Sequence, residues 1–282
     1  MTSPSTTSHD AALAQPLRDL DAWTAHFGAA EIPVLADTAA ALEAFRSHED
    51  RADANSIGEM ISTDPLMTLK VLAYAATHRA ARIVTDIETV TAALVMMGIS
   101  PFFAAFGVQP TVEDRLAQEP AALAGLRATL QRAHRGANFA LAFAVHRMDH
   151  DAAVIHAAAL LHDFAEMLLW CHAPALALSI RHAQEADATL RSSLAQQQVL
   201  GIELADLQQS LMKSWRLPEL LIRISDDRHA DHASVKSVTL AVRLARHTAL
   251  GWDNPAIPDD VSDIAALLNL SPAASLQLVQ EL

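Results

Sequence analysis

Little in this 282-residue chain favours a disulfide, a sheet or a membrane span. Cys171 is its only cysteine, so no intramolecular disulfide can close and no cysteine-based zinc site can be assembled within one chain. There are 8 glycines, one tyrosine and 5% aromatic residues, while 51% of the residues are hydrophobic and Ala and Leu dominate. That balance suits helices and suits a pleated sheet poorly. Acidic residues outnumber basic ones 33 to 20, and the resulting charge of -13 argues against broad nucleic-acid binding, because such a surface repels a phosphate backbone. No uncharged apolar segment reaches the roughly 20 residues that a membrane helix requires. The segment Met1–Asp10 lacks a basic stretch followed by an apolar one, so no export signal is expected. Gly-rich phosphate loops, βαβ alternation, a Gly-x-Ser-x-Gly elbow and a clean repeat period are missing too. The expectation is a cytoplasmic, all-α protein, built as one large domain or two packed modules and not associated with a membrane.

What is present divides into punctuated helical segments. Residues 1–15 are Ser/Thr-rich and polar and are expected to form a disordered leader. Helices are predicted over 16–27, 38–48, 55–63, 65–77 and 87–97, with Ile32-Pro-Val-Leu35 extended between the first two. The stretch Gly107-Val-Gln-Pro-Thr-Val-Glu-Asp-Arg115 interrupts the pattern. It places an N-terminal helical module over 16–110 and a second one over 120–282. The second module is predicted to contain helices over 121–148, 152–171, 174–185, 188–215, 218–226, 235–250, 261–268 and 272–282.

The feature most informative about chemistry is His162-Asp163, inside the apolar run Ala157–Leu169. Two potential metal ligands there are costly to bury unless a metal or a hydrogen-bond network holds them. His146, His150 and His156 read as residues of a solvated corner, and His229 and His232 as loop residues. Trp215 reads as a packing anchor between helices. Met96, Met97, Phe102, Phe103 and Phe106 are expected to seal the two modules together. Arg127, Arg132, Arg135 and Arg147 offer either a solvated face or a site for an acidic ligand.

The order of motifs resembles the HDOD (HD-related output domain) family. Ile32-Pro-Val-Leu35 is similar to its opening Leu-Pro-x-Leu-Pro region without the second proline, and Ile61-Ser-Thr-Asp-Pro-Leu-Met67 to its Ile-x-x-Asp-Pro-x-Leu element. Thr89–Gly98, Leu160-Leu-His-Asp-Phe164, Leu200-Gly201 and Trp215-Arg-Leu-Pro218 continue the resemblance, which spans about residues 30–282. It implies an HD-domain-like helical bundle with an N-terminal helical module packed on it, within the metal-dependent phosphohydrolase superfamily. Catalytic members of that superfamily hold metal with a histidine, the His-Asp pair, further histidines and a final aspartate. By resemblance His134 stands at the first position and His162 with Asp163 at the pair. Leu204, Arg228 and Val242 fall where further ligands belong, unless Asp226, Asp227 or Asp231 substitutes. The resemblance therefore implies that His134, His162 and Asp163 converge as a vestigial, largely buried metal site. The function read from it is a non-catalytic bacterial signalling or regulatory scaffold that binds other signalling proteins. A weak metal-dependent phosphodiesterase or nucleotidase and a sensor of a small anionic, nucleotide-like ligand are the alternatives. No cofactor is required by the first reading, a divalent metal by the second, and Arg135 is the first candidate contact in the third.

Overall fold

The computed structural model describes residues 12–49, 52–78, 87–187, 189–229 and 232–282. The first part of the chain forms α1 (Leu20–Ala29), α2 (Ala36–Arg46), α3 (Ala54–Ile61), α4 (Pro65–Thr77), α5 (Val90–Met97), α6 (Ile99–Ala105) and α7 (Val112–Arg115). The second part forms α8 (Pro120–His146), α9 (Ala152–Leu160), α10 (Phe164–His172), α11 (Pro174–Ala186), α12 (Ser192–Leu200), α13 (Leu204–Ser214) and α14 (Glu219–Ile224). A 3-10 turn over Asp227–His229 leads to α15 (Ala233–His247), α16 (Ile257–Leu268) and α17 (Pro272–Gln280). Among the described residues there is no β-strand, only an isolated parallel bridge between Val34 and Thr111.

Local chemistry fixes the helix starts. Asp19, Asp53, Asp64, Thr89, Thr111 and Ser271 each accept a backbone N–H in the first turn of the helix that follows. Asp64 also joins two parts of the chain. Its Oδ1 receives the N–H groups of Leu66 and Met67, while its Oδ2 receives that of Leu35 at 2.8 Å. The extended segment before α2 is thereby fastened to the start of α4.

Two hydrophobic cores result. The smaller takes Leu42 of α2, Ile57 and Ile61 of α3, Val90 and Leu94 of α5, and Phe102, Phe103 and Phe106 at α6. The larger gathers α8–α17 around Phe139, Phe143, Leu160, Phe164, Leu207 and Leu244. Helix α4 belongs to both: Met67, Val71 and Ala75 enter the smaller core, and Leu66, Leu69 and Leu72 the larger. Its sequence is apolar nearly all round, the pattern of a helix with no solvent face. The aromatic cluster at 102–106, expected to seal two modules, instead fills the smaller core; α4 makes the junction. Helix α1, placed by its sequence position in the N-terminal module, packs on α13 of the larger core. There the Trp23 indole N–H donates to the Leu200 carbonyl, and that of Trp215 to Gly28. Trp215 also lies against Phe164, in keeping with its expected packing role.

Two expectations about continuity change. The run 152–171, read as one helix, is broken at Leu161–Asp163, because α9 ends at Leu160 and α10 starts at Phe164. The run 188–215 is broken at Gly201, whose φ of +74° is the left-handed turn that a glycine makes at low cost after α12. Of the expected leader, residues 1–11 lie outside the described residues, whereas the Leu13 N–H donates to the His172 carbonyl at 2.7 Å. By composition alone Ala152–His172 is long and apolar enough to cross a membrane; most of it is buried in the protein.

Candidate functional site

The break between α9 and α10 turns His162 and Asp163 into a cleft of about 670 Å3. Helix α8 faces them with Gly125, Thr129 and Arg132, spaced i, i+4 and i+7 on one side. Gly125 is required there, since a β-carbon at that position would lie 2.5 Å from the Trp170 ring. The close approach lets the Trp170 indole N–H reach the Thr129 hydroxyl at 3.2 Å, and that hydroxyl lies 2.8 Å from Glu166 Oε1.

Asp163 sits at the centre of an ion network. Arg132 Nε donates to its Oδ2 at 3.0 Å, and Arg132 Nη2 to Glu166 Oε2 at 2.7 Å. Asp163 Oδ1 receives Arg246 Nη2 at 2.7 Å and His162 Nδ1 at 3.0 Å. His162 Nε2 lies 3.4 Å from Asp227 Oδ1, which also accepts the Thr239 hydroxyl at 3.0 Å.

The titration behaviour follows from these contacts. Burial opposes charge on Asp163, but Arg246, the His162 hydrogen bond and Arg132 hold its carboxyl well below the usual carboxylate range. Burial likewise opposes charge on His162. The hydrogen bonds and charges of Asp163 and Asp227 outweigh it and raise the imidazole to about 9. His162 is therefore an imidazolium at neutral pH, with both ring nitrogens carrying protons. Asp227 is lowered in turn, burial being outweighed by His162, Thr239 and Arg246.

The structure does not bring the three expected metal ligands together. His162 and Asp163 meet, but His134 is two residues past Arg132 on α8 and so lies on a different face. The charged neighbour it feels is Asp64, and it in turn opposes charge on His156. Arg132 takes the place facing the pair. Arg135, the candidate anion contact, is committed elsewhere: its Nη1 donates to the Thr248 carbonyl at the end of α15, at 2.6 Å. Leu204 is buried at the cleft wall, and Arg228 pairs with Asp226 through two nitrogens. Val242 is a packing residue, 3.5 Å from where a β-carbon on Gly136 would stand. Asp231 lies outside the described residues. Asp227 joins the network, but as a partner of His162.

Two important residues escaped the sequence reading, Arg246 and Glu166. Each carried a helical signal. Arg246 is one turn beyond Val242 on α15, and Glu166 is three residues after Asp163.

These side chains do not fit a metal ion. Both oxygens of Asp163 already receive guanidinium N–H groups, and both ring nitrogens of His162 lie against carboxylate oxygens of Asp163 and Asp227. Among the described residues no group of three or more His, Cys, Asp or Glu side chains is arranged to hold one. The network balances its own charge: Arg132, Arg246 and His162 stand against Asp163, Glu166 and Asp227.

The chain's fold is similar to that of the response regulator MmoQ from Methylococcus capsulatus, with a TM-score of 0.66 at 16% identity, over 89% of this chain and 99% of that one. A virulence factor from Campylobacter jejuni is similar at a TM-score of 0.62 and 18% identity, over 92% and 97% of the two chains. No curated protein matches the sequence. The sequence profile of the HDOD domain matches residues 32–230, well over half the chain, beginning at the extended Ile32 segment and ending just past the Asp227 turn. The chain belongs to the HDOD family.

Proposed function

We propose that this chain is a non-catalytic bacterial signalling module that works by presenting its helical surface to another protein. One observation carries the reading: the His-Asp pair, the chemical centre of the metal-dependent superfamily, is saturated here by Arg132, Arg246 and Asp227. Hydrolysis of a phosphoester would need a metal-activated water and uncommitted cations for the developing charge. Neither demand suits a charge-balanced network whose cations are already paired. The response regulator among the fold relatives supports a place in bacterial signalling.

The test is metal analysis of protein purified without an affinity tag, joined to a phosphodiesterase and nucleotidase screen with added Mn2+ and Mg2+. The expected result is metal far below one equivalent and no turnover, while His162→Ala and Asp163→Ala lower stability. Stoichiometric metal, with turnover abolished by those two substitutions, would sink the reading.

A further inference from the structure

The cleft holds a second polar wall that the ion network does not use. Glu203 precedes α13 and Asp206 and Gln209 lie on it, at successive three-residue steps, and all three line the cleft with Ser225 at the end of α14. Gln209 is fixed in orientation. Its Nε2 is directed at the Ser225 carbonyl at 3.2 Å and the Ile222 carbonyl at 3.5 Å, which leaves Oε1 as an acceptor. That oxygen and the Ser225 hydroxyl are buried without a hydrogen-bond partner, on side chains only 6% exposed. Buried polar atoms without partners are uncommon and costly.

Charge points the same way. Arg132, Arg246 and His162 are matched within their network and Arg228 is paired with Asp226, while Arg181 lies over the Trp170 ring with Glu185 3.6 Å away and its Nε making no hydrogen bond. Glu203 and Asp206 make no salt bridge among the described residues, and Arg228, already held by Asp226, is the cation that feels the charge of Asp206. The carbonyl end of α14 adds partial negative charge beside them. The wall thus offers acceptors and negative charge, with no group of three ligands placed for a metal ion. Its complement is an organic cation rich in N–H donors, and a cleft of about 670 Å3 is ample for a small one.

We propose that the cleft binds a small organic cation bearing a primary amine or guanidinium, received by Glu203, Asp206, Gln209 and Ser225. Such a ligand is opposite in sign to the phosphoester that the superfamily resemblance suggests. The proposal goes beyond the interaction-module reading, because a protein-binding surface needs no ligand in this cleft.

Agmatine, which carries both head groups, is the probe. Calorimetry and thermal unfolding of the full chain are expected to show saturable binding and a Tm that rises with agmatine concentration. The double variant Glu203→Gln/Asp206→Asn, altered only at carboxylates that make no salt bridge, is expected to weaken binding at least about tenfold with the unliganded Tm little changed. Ser225→Ala is expected to weaken it several-fold while leaving the fold intact. AMP and inorganic phosphate are expected to give no response. No agmatine binding at millimolar concentration, binding indifferent to these variants, or preferential binding of AMP or phosphate would each overturn the proposal. None of these results bears on metal content or turnover, so the two readings fail separately.

Discussion

Helix α8 separates two polar clusters that treat histidine in opposite ways. On the cleft side, His162 is held between two carboxylates and stays charged. On the other side, His134 and His156 are pushed toward the neutral form by burial, and His134 opposes charge on His156. Asp64 pulls His134 only weakly the other way. Burial alone does not decide the state of a histidine here; the number of carboxylates within hydrogen-bond reach does.

The largest blow to this contrast comes from Asp163→Ala. It leaves Arg132, Arg246 and the His162 imidazolium without their shared counter-charge, and the expected loss is about 3–5 kcal/mol, read as a drop in the urea midpoint at constant slope. A slope change instead of a midpoint change would mean that the network is not cooperative with the core.

The next test uses pH. His162 has a folded value near 9 against an ordinary 6.5, so its stabilisation is complete below about pH 6.5 and is lost as pH rises through 9, on the order of 3 kcal/mol in all. His134 and His156 are lowered, so their contribution has the opposite sign: stability falls as pH drops below 6.5, because the unfolded chain binds those protons more readily. Urea titrations from pH 5 to 9.5 should therefore show an alkaline limb that His162→Gln flattens. They should also show a separate acid limb that His134→Gln with His156→Gln flattens. If a single variant removed both limbs, the two clusters would be coupled.

The smallest effect is expected from Arg246→Gln. Its side chain is half exposed, and Arg132 continues to satisfy Asp163, so no more than about 1 kcal/mol should be lost. A loss as large as that of Asp163→Ala would assign the network to Arg246 rather than Arg132.

Much of this was legible in the sequence. Scarce glycine, one cysteine and 3.6-residue periodicity gave the all-α class, and the ordered motifs gave the family. The centre of the site was visible as a polar pair in an apolar run. Its surroundings were harder to read, because a motif aligned along the chain says nothing of helical phase. His134 and Arg132 are two residues apart, yet about 200° of rotation separates them, and only one can face Asp163. Val242 marked the right helix but the wrong turn, Arg246 being the residue that reaches the pair. The break at Leu161–Asp163 was hidden because the residues around it are as apolar as a helix core. The turn at Gly201 had a glycine to announce it.

Helix α4 has a mechanical consequence. A hinge needs a connection that belongs to neither of the bodies it joins, and here the connecting helix supplies side chains to both cores at once. The smaller core cannot swing away without tearing Leu66, Leu69 and Leu72 from the larger one. A push applied to α3 or α5 must then arrive at α10 as a displacement of packed side chains, in the manner of a shared beam and not of a door.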